Sequence, residues 1–169
     1  MLTLTANTET VGETISIGSE HAQTVLIRTT VRSSEQLESL QIIQDGRIVA
    51  SRKLLAESAD PIVEANLEFT LAPNRSGWIA SRVLFRAPDS LLRQAHTSPV
   101  YISVDEKPAS SADDARYMVR WIDHLAAIAK SQPGRFPDAD ARQSVLAIYA
   151  EARSRYGAII EDAQQNWGD

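Results

Sequence analysis

The stretch Leu40-Gln41-Ile42-Ile43-Gln44-Asp45-Gly46-Arg47-Ile48-Val49 decides the fold class of this chain. Asp45-Gly46 stands between two apolar runs. This dipeptide favours a type I′ turn between antiparallel strands, because both central positions of that turn need positive φ. The sequence therefore predicts a β-hairpin here, and the neighbouring segments extend it into a sheet.

Alternation of apolar and polar side chains continues on both sides of the hairpin, from Leu2 to about Val104. The clearest apolar sets are Val25, Ile27, Thr29 and Val31 in one segment and Ala65, Leu67, Phe69 and Leu71 in another. Period-two alternation is typical of half-buried antiparallel strands. Seven or eight short strands between regular turn signals predict an immunoglobulin-like antiparallel β-sandwich over residues 1–107.

After Lys107-Pro108 the apolar period becomes that of a helix. Ser111 with an acidic residue three positions later favours a helix start, and Gln132-Pro133-Gly134 favours its end. A second helix is predicted from about 137–140 to Gln165, which gives a helical hairpin over 108–169. The apolar stripes of both helices are wide, so we expect the pair to dock on the sandwich, on a missing domain or on a partner.

Composition excludes several classes of function. The formal net charge is −5 and the basic residues are scattered, which argues against a nucleic-acid partner. There is no cysteine, so neither a disulfide nor a thiolate metal site can form. No segment has the roughly 20 apolar residues of a membrane span, and residues 1–7 lack the pattern of a signal peptide. We expect a soluble protein without membrane insertion; its compartment stays unknown.

No catalytic or metal-binding residue is predicted within this chain. The three histidines, His21, His96 and His124, lie far apart, and no two have the spacing of metal ligands. His124 and His21 are expected at the surface. His96 has two interpretations: it hydrogen-bonds backbone at a turn before a strand, or it projects toward a neighbouring active site at a domain junction. Trp78 is expected to be a core or inter-domain anchor.

An ordered set of motifs resembles the C-terminal region of CehA/McbA-type metallohydrolases, relatives of the PHP phosphoesterases. The set begins with the hairpin quoted above and continues with Ser76-Gly77-Trp78-Ile79-Ala80, Ala95-His96-Thr97-Ser98-Pro99-Val100-Tyr101, Tyr117, Trp121-Ile122-Asp123, Arg135-Phe136, Tyr149, Ala152-Arg153 and Tyr156. The resemblance covers nearly the whole chain. It implies that the metal ligands belong to an N-terminal PHP-like barrel that this sequence does not contain.

The resemblance implies a non-catalytic accessory domain. Its partner is a PHP-like catalytic domain, in cis or in trans, which holds a divalent metal and hydrolyses phosphoester, carbamate or amide-like bonds. The expected inter-domain or active-site-rim residues are His96, Trp78, Thr97 and Tyr101. Two alternatives stay open: a stand-alone immunoglobulin-like binding module for a carbohydrate or a protein, and a small enzyme built from scattered acids and His96.

Overall fold

The computed structural model of this protein describes residues 1–18, 23–54, 62–87 and 89–167. The chain divides into two compact units, Met1–Ala109 and Ser110–Asp169. The docking of the helices on the sandwich or on another domain stays a prediction.

The first unit is built of strands. Their bounds are β1 Leu2–Ala6, β2 Glu9–Thr10, β3 Thr14–Ile17, β4 Val25–Ser33, β5 Gln36–Gln44, β6 Arg47–Lys53, β7 Val63–Leu71, β8 Gly77–Arg86, β9 Leu92–His96 and β10 Val100–Val104. The described residues thus hold ten strands, more than the seven or eight expected, because β2 and β9 are short and carry no apolar alternation of their own.

These strands form two sheets. The smaller sheet has the order β2-β1-β4-β7, and the larger has the order β3-β10-β8-β5-β6, with β9 also paired to β8. The predicted fold class, a mainly β sandwich followed by two helices, is confirmed. One pairing departs from the antiparallel prediction: β3 lies parallel to β10. The chain leaves the smaller sheet after β2 and crosses to the edge of the larger one, where it runs in the direction of β10.

The core lies between the two sheets, where the predicted apolar faces meet. Val25, Ile27 and Val31 are buried on β4, as the alternation predicts. The same face carries a buried hydroxyl, because Thr29 is 1% exposed and its Oγ1 lies 2.6 Å from the Oγ of Ser81 on the other sheet. A buried hydroxyl costs free energy unless it is hydrogen-bonded, so this pair fixes how the sheets face each other.

The second unit is a helical hairpin, α1 Ala112–Ser131 and α2 Ala139–Trp167, joined through a 3₁₀ turn at Pro133–Arg135. Ser111 caps α1, and its side chain accepts a hydrogen bond from the backbone N–H of Asp114 at 3.2 Å. Neither helix carries an apolar stretch long enough to cross a bilayer, within the residues that the structure describes.

Two contacts set the direction of the hairpin. Ser110 Oγ donates to Asp162 Oδ2 at 3.2 Å, and Arg153 Nε donates to Asp123 Oδ1 at 2.8 Å. Residues later in α1 thus contact residues earlier in α2, so the two helices are antiparallel. Ala115, Ile122 and Ala129 are buried seven residues apart on α1, a spacing that keeps one stripe of a helix facing its neighbour.

Candidate interaction surfaces

The Asp45-Gly46 turn is a fixed part of one end of the larger sheet. Both residues have positive φ, 48° and 81°, as the predicted type I′ turn requires. The backbone N–H of Asp45 donates to the carbonyl of Trp78 at 3.1 Å, and the carboxylate oxygen Oδ1 accepts from the backbone N–H of Trp78 at 2.9 Å. The hairpin turn and the start of β8 are therefore joined through both backbone and side chain.

Gly77 makes this arrangement possible. A Cβ atom at residue 77 would lie 2.5 Å from Asp45 Oδ1 and 2.6 Å from Asp45 Oδ2, closer than non-bonded atoms come. The Asp45 carboxylate therefore fills the space that a side chain at residue 77 would occupy. The sequence motifs Asp45-Gly46 and Gly77-Trp78 form a single structural site, which the linear sequence does not reveal.

Trp78 and Tyr101 lie directly opposite each other on β8 and β10. Their neighbours Ile79 and Val100 are fully buried, so Trp78 and Tyr101 point to the outer face of the larger sheet. Tyr101 is 46% exposed and Trp78 is half-buried. Trp78 is thus an outer-face side chain of the sandwich, and the two predicted site residues do come together.

This aromatic pair continues into an apolar surface. Ile43 lies opposite Ile48 on β6 and opposite Ala80 on β8. Ile43 is half-buried, and Ile48 is 51% exposed. We call the outer-face residues Trp78, Tyr101, Ile43 and Ile48 the sheet patch. A group of large apolar side chains that are exposed or half-buried on one outer face is typical of a binding surface.

His96 and Thr97 lie at the turn between β9 and β10. The Nδ1 atom of His96 is 3.2 Å from the carbonyl oxygen of Thr97, and the side chain is exposed. Thr97 holds the turn to β8, because its N–H donates to the carbonyl of Ser81 at 3.0 Å and its Oγ1 accepts from the N–H of Ser81 at 3.1 Å. These hydrogen bonds give Thr97 a structural role. A role of His96 or Thr97 at the rim of an active site stays a prediction.

The other two histidines are His124 and His21. His124 is exposed on α1, as predicted, and its ring stacks on Trp121 with centroids 5.7 Å apart and an interplanar angle of 24°. His21 lies outside the described residues. The stacked pair adds a broad aromatic surface to the outside of the hairpin.

Among the described side chains of the hairpin, four large apolar ones are exposed: Tyr117 at 58%, Trp121 at 50%, Ile148 at 62% and Ile159 at 38%. An α-helix turns by about 100° per residue. Tyr117 and Trp121 therefore lie about 120–160° around α1 from Asp123, and Ile148 and Ile159 about 120–140° around α2 from Arg153.

Because Asp123 and Arg153 pair on one side of the hairpin, the four apolar side chains share the other side. We call Tyr117, Trp121, Ile148 and Ile159 the apolar flank. The prediction that the two stripes are too wide to be buried by the helical pair alone agrees with this exposure.

Among the described residues, the carboxyl group of Glu13 has a shifted pKa. The backbone N–H of Thr10 donates to the Glu13 carboxylate, and this hydrogen bond holds the pKa of Glu13 below its ordinary value. The backbone carbonyl of Glu13 also accepts from the N–H of Tyr101 at 2.9 Å. Glu13 therefore fixes the entry to β3 beside the sheet patch. Across the described ranges no three His, Asp or Glu side chains come close enough to hold a metal ion.

No protein-family model and no curated protein matches the chain. Among solved structures the chain is similar to the fibronectin(III)-like modules of CbhA from Clostridium thermocellum, with 15% identity and a TM-score of 0.35 over 59% of this chain and 94% of that one. It is also similar to the sulfur carrier protein SoxY from Chlorobium limicola f thiosulfatophilum, with 16% identity and a TM-score of 0.33 over 59% of this chain and 73% of that one. The fold assignment rests on the two sheets themselves.

Proposed function

We propose that this chain is an accessory module of a PHP-related metal-dependent hydrolase of the CehA/McbA type, and that it contacts the catalytic domain through the apolar flank. The observation that carries the proposal is the flank itself, four exposed large apolar side chains on one side of a two-helix unit. Burial of exposed apolar surface of this kind against a protein neighbour lowers the free energy.

The motif order supports the hydrolase as that neighbour. Trp121 and Tyr117 of the flank are among the residues that carry the resemblance, and so is Asp123 on the opposite side of α1. In this proposal the catalytic domain holds the divalent metal, which activates a water for hydrolysis of a phosphoester, carbamate or amide-like bond. The residues of this chain bind and orient that catalytic domain.

The test is site-specific photocrosslinking in the native polypeptide. A photoreactive p-benzoylphenylalanine replaces Trp121 on the flank, and in a matched variant it replaces Ala127, which is exposed and lies about 40° around α1 from Asp123, on the other side of the helix. We expect crosslinks from position 121 to residues of a metal-binding hydrolase domain, in the same or another chain, and few from position 127.

Two results would overturn the proposal. Crosslinks from position 121 that map to residues 1–109 would show that the sandwich of this chain covers the flank. Equal labelling from positions 121 and 127, or crosslinking to a domain without a metal site, would show that the flank does not contact a metal-dependent hydrolase domain. Metal content of the crosslinked domain is measured directly, by elemental analysis of the purified product.

A second candidate function, a binding module for a carbohydrate, is favoured by the apposition of Trp78 and Tyr101. Two neighbouring aromatic side chains on an exposed sheet face offer a stacking surface to an apolar ring face. Binding to a glycan array by the intact chain, lost in the variant Trp78→Ala and retained in Trp121→Ala, would support this candidate. Absence of glycan binding in the intact chain would reject it.

A further inference from the structure

Strand β9 lies at an edge of the larger sheet, and two hydrogen bonds fix how its backbone is oriented. Thr97 N–H donates to the carbonyl of Ser81 at 3.0 Å, and Ala87 N–H donates to the carbonyl of Leu91 at 3.1 Å. These contacts bracket the antiparallel β8–β9 ladder. Hydrogen-bonded and non-hydrogen-bonded pairs alternate along such a ladder. The odd-numbered residues of β9 therefore direct their backbone groups to β8, and the even-numbered residues direct theirs away.

The even-numbered residues are Leu92, Gln94 and His96, and all three side chains are exposed. Within the part of the chain that the structure describes, β9 pairs with β8 alone. The neighbouring strand β3 covers β10 but stops short of β9, and at that point Gly12 N–H donates to the carbonyl of Pro99 at 2.7 Å. The open edge thus accepts a strand about as long as β9 itself.

Two other edges of the sandwich, β6 and β7, carry features that oppose strand addition. Strand β6 has three basic residues, Arg47, Arg52 and Lys53. Arg52 Nη1 also donates to the backbone carbonyl of Asn66 on β7 at 2.8 Å, so it occupies a backbone group of that edge strand as well. Charged side chains are a common device against edge-to-edge pairing. On β9 the only formally charged residue is Arg93, whose backbone faces β8.

We propose that β9 pairs antiparallel with β9 of a second copy of this chain and joins two larger sheets across a two-fold axis. A register centred on Gln94 places Gln94 opposite itself, Leu92 opposite His96 of the second copy, and Arg93 opposite Ala95 of the second copy. No two cations face each other directly in this register. A two-fold interface requires this kind of self-complementarity.

The exposed Leu91, at 61%, and Leu92, at 54%, add apolar contact at each end of the paired segment. A contact of one short strand from each copy is smaller than a standard stable interface, so the dimer forms reversibly and weakly. The pairing involves neither the apolar flank nor the sheet patch, so it does not depend on the proposed hydrolase partner.

The test is sedimentation velocity of the full chain over a wide concentration range at an ionic strength of about 0.15 M. The wild-type chain is expected to dimerise reversibly. Gln94→Glu and Gln94→Lys each place like charges opposite each other and weaken dimerisation about fivefold or more. An equal mixture of the two variants restores association, because a glutamate then faces a lysine.

The matched controls are Ser51→Glu and Ser51→Lys on the exposed edge strand β6, which should leave association unchanged. A wild-type chain that stays monomeric at every concentration overturns the proposal. So does a dimer that persists in both Gln94 variants, because the contact then lies elsewhere. Failure of the mixture to restore association overturns the two-fold register.

Discussion

Gly77→Ala should destabilise the sandwich, because the added methyl group enters the space of the Asp45 carboxylate. The new Cβ would lie 2.5 Å from Asp45 Oδ1, so the carboxylate must move away and release the N–H of Trp78, which it binds at 2.9 Å. A hydrogen bond to a charged group makes a net contribution of about 1.5–3 kcal/mol to stability. Since Asp45 is partly exposed, we expect a loss of about 1–2 kcal/mol in the free energy of unfolding.

A double-mutant cycle isolates the clash. Asp45→Gly removes the carboxylate and keeps a residue that tolerates the positive φ of the turn. Alone it should cost a similar amount, because the hydrogen bond to Trp78 is lost. In the double variant, Gly77→Ala should add almost nothing, which gives a coupling energy of about 1–2 kcal/mol. The assay is urea unfolding followed by circular dichroism and tryptophan fluorescence.

Gly157→Ala is the matched control, the same substitution at a place where a Cβ has open space. Nothing lies within 4 Å of a Cβ built at Gly157, which sits inside α2, so close packing does not explain this glycine. Alanine there should raise stability by up to about 1 kcal/mol. A Gly77→Ala variant as stable as wild type, or one whose cost is unchanged by Asp45→Gly, would refute the reasoning.

Three further predictions concern other contacts. Thr29→Val should cost about 1–2 kcal/mol in urea unfolding, because it removes the buried hydroxyl partner of Ser81 at 2.6 Å; a neutral effect would show that the pair contributes nothing. Ser111→Ala should cost about 1 kcal/mol, seen as earlier loss of helical circular dichroism, because α1 loses its N-cap. Glu13 has a lowered pKa, so its contribution to stability is present above the ordinary carboxyl pKa and is lost as pH falls through the lowered one. Glu13→Gln should flatten the pH dependence of unfolding in that acid range and leave Thr10 N–H with a weaker acceptor; an unchanged profile would contradict this.

Local patterns were sufficient for the longer strands and for both helices, but not for the short strands β2 and β9. The alternation around Val25 and Ala65 predicted two strands, whose inward residues are buried on β4 and buried or half-buried on β7, because the side-chain period of a strand is set by its own backbone. The cap at Ser111 and the Gln132-Pro133-Gly134 stop likewise agree with a helix that ends at Ser131. These signals act over a few residues and need no tertiary information.

The candidate surfaces were only partly predictable. The residues singled out from the sequence were Trp78, Tyr101, His96 and Thr97, but the contacts that they make in the structure were not predicted. The contact between Asp45 and Gly77 joins residues far apart in the chain, and only the pairing register of β5 with β8 brings them together. The parallel placement of β3 beside β10 has no signal in the short segment Thr14–Ile17.

The sequence by itself determined a sandwich of strands, its Asp45-Gly46 hairpin and a two-helix tail, since turn chemistry and hydrophobic period are local properties of the chain. Only the tertiary structure decided which side chains share a surface. It placed Trp78 opposite Tyr101, gathered Trp121 and Ile148 on one flank, and left the backbone of β9 open at an edge. The physical reason is that strand register and helix packing are fixed by burial summed over the whole unit, and no short stretch of sequence carries that sum.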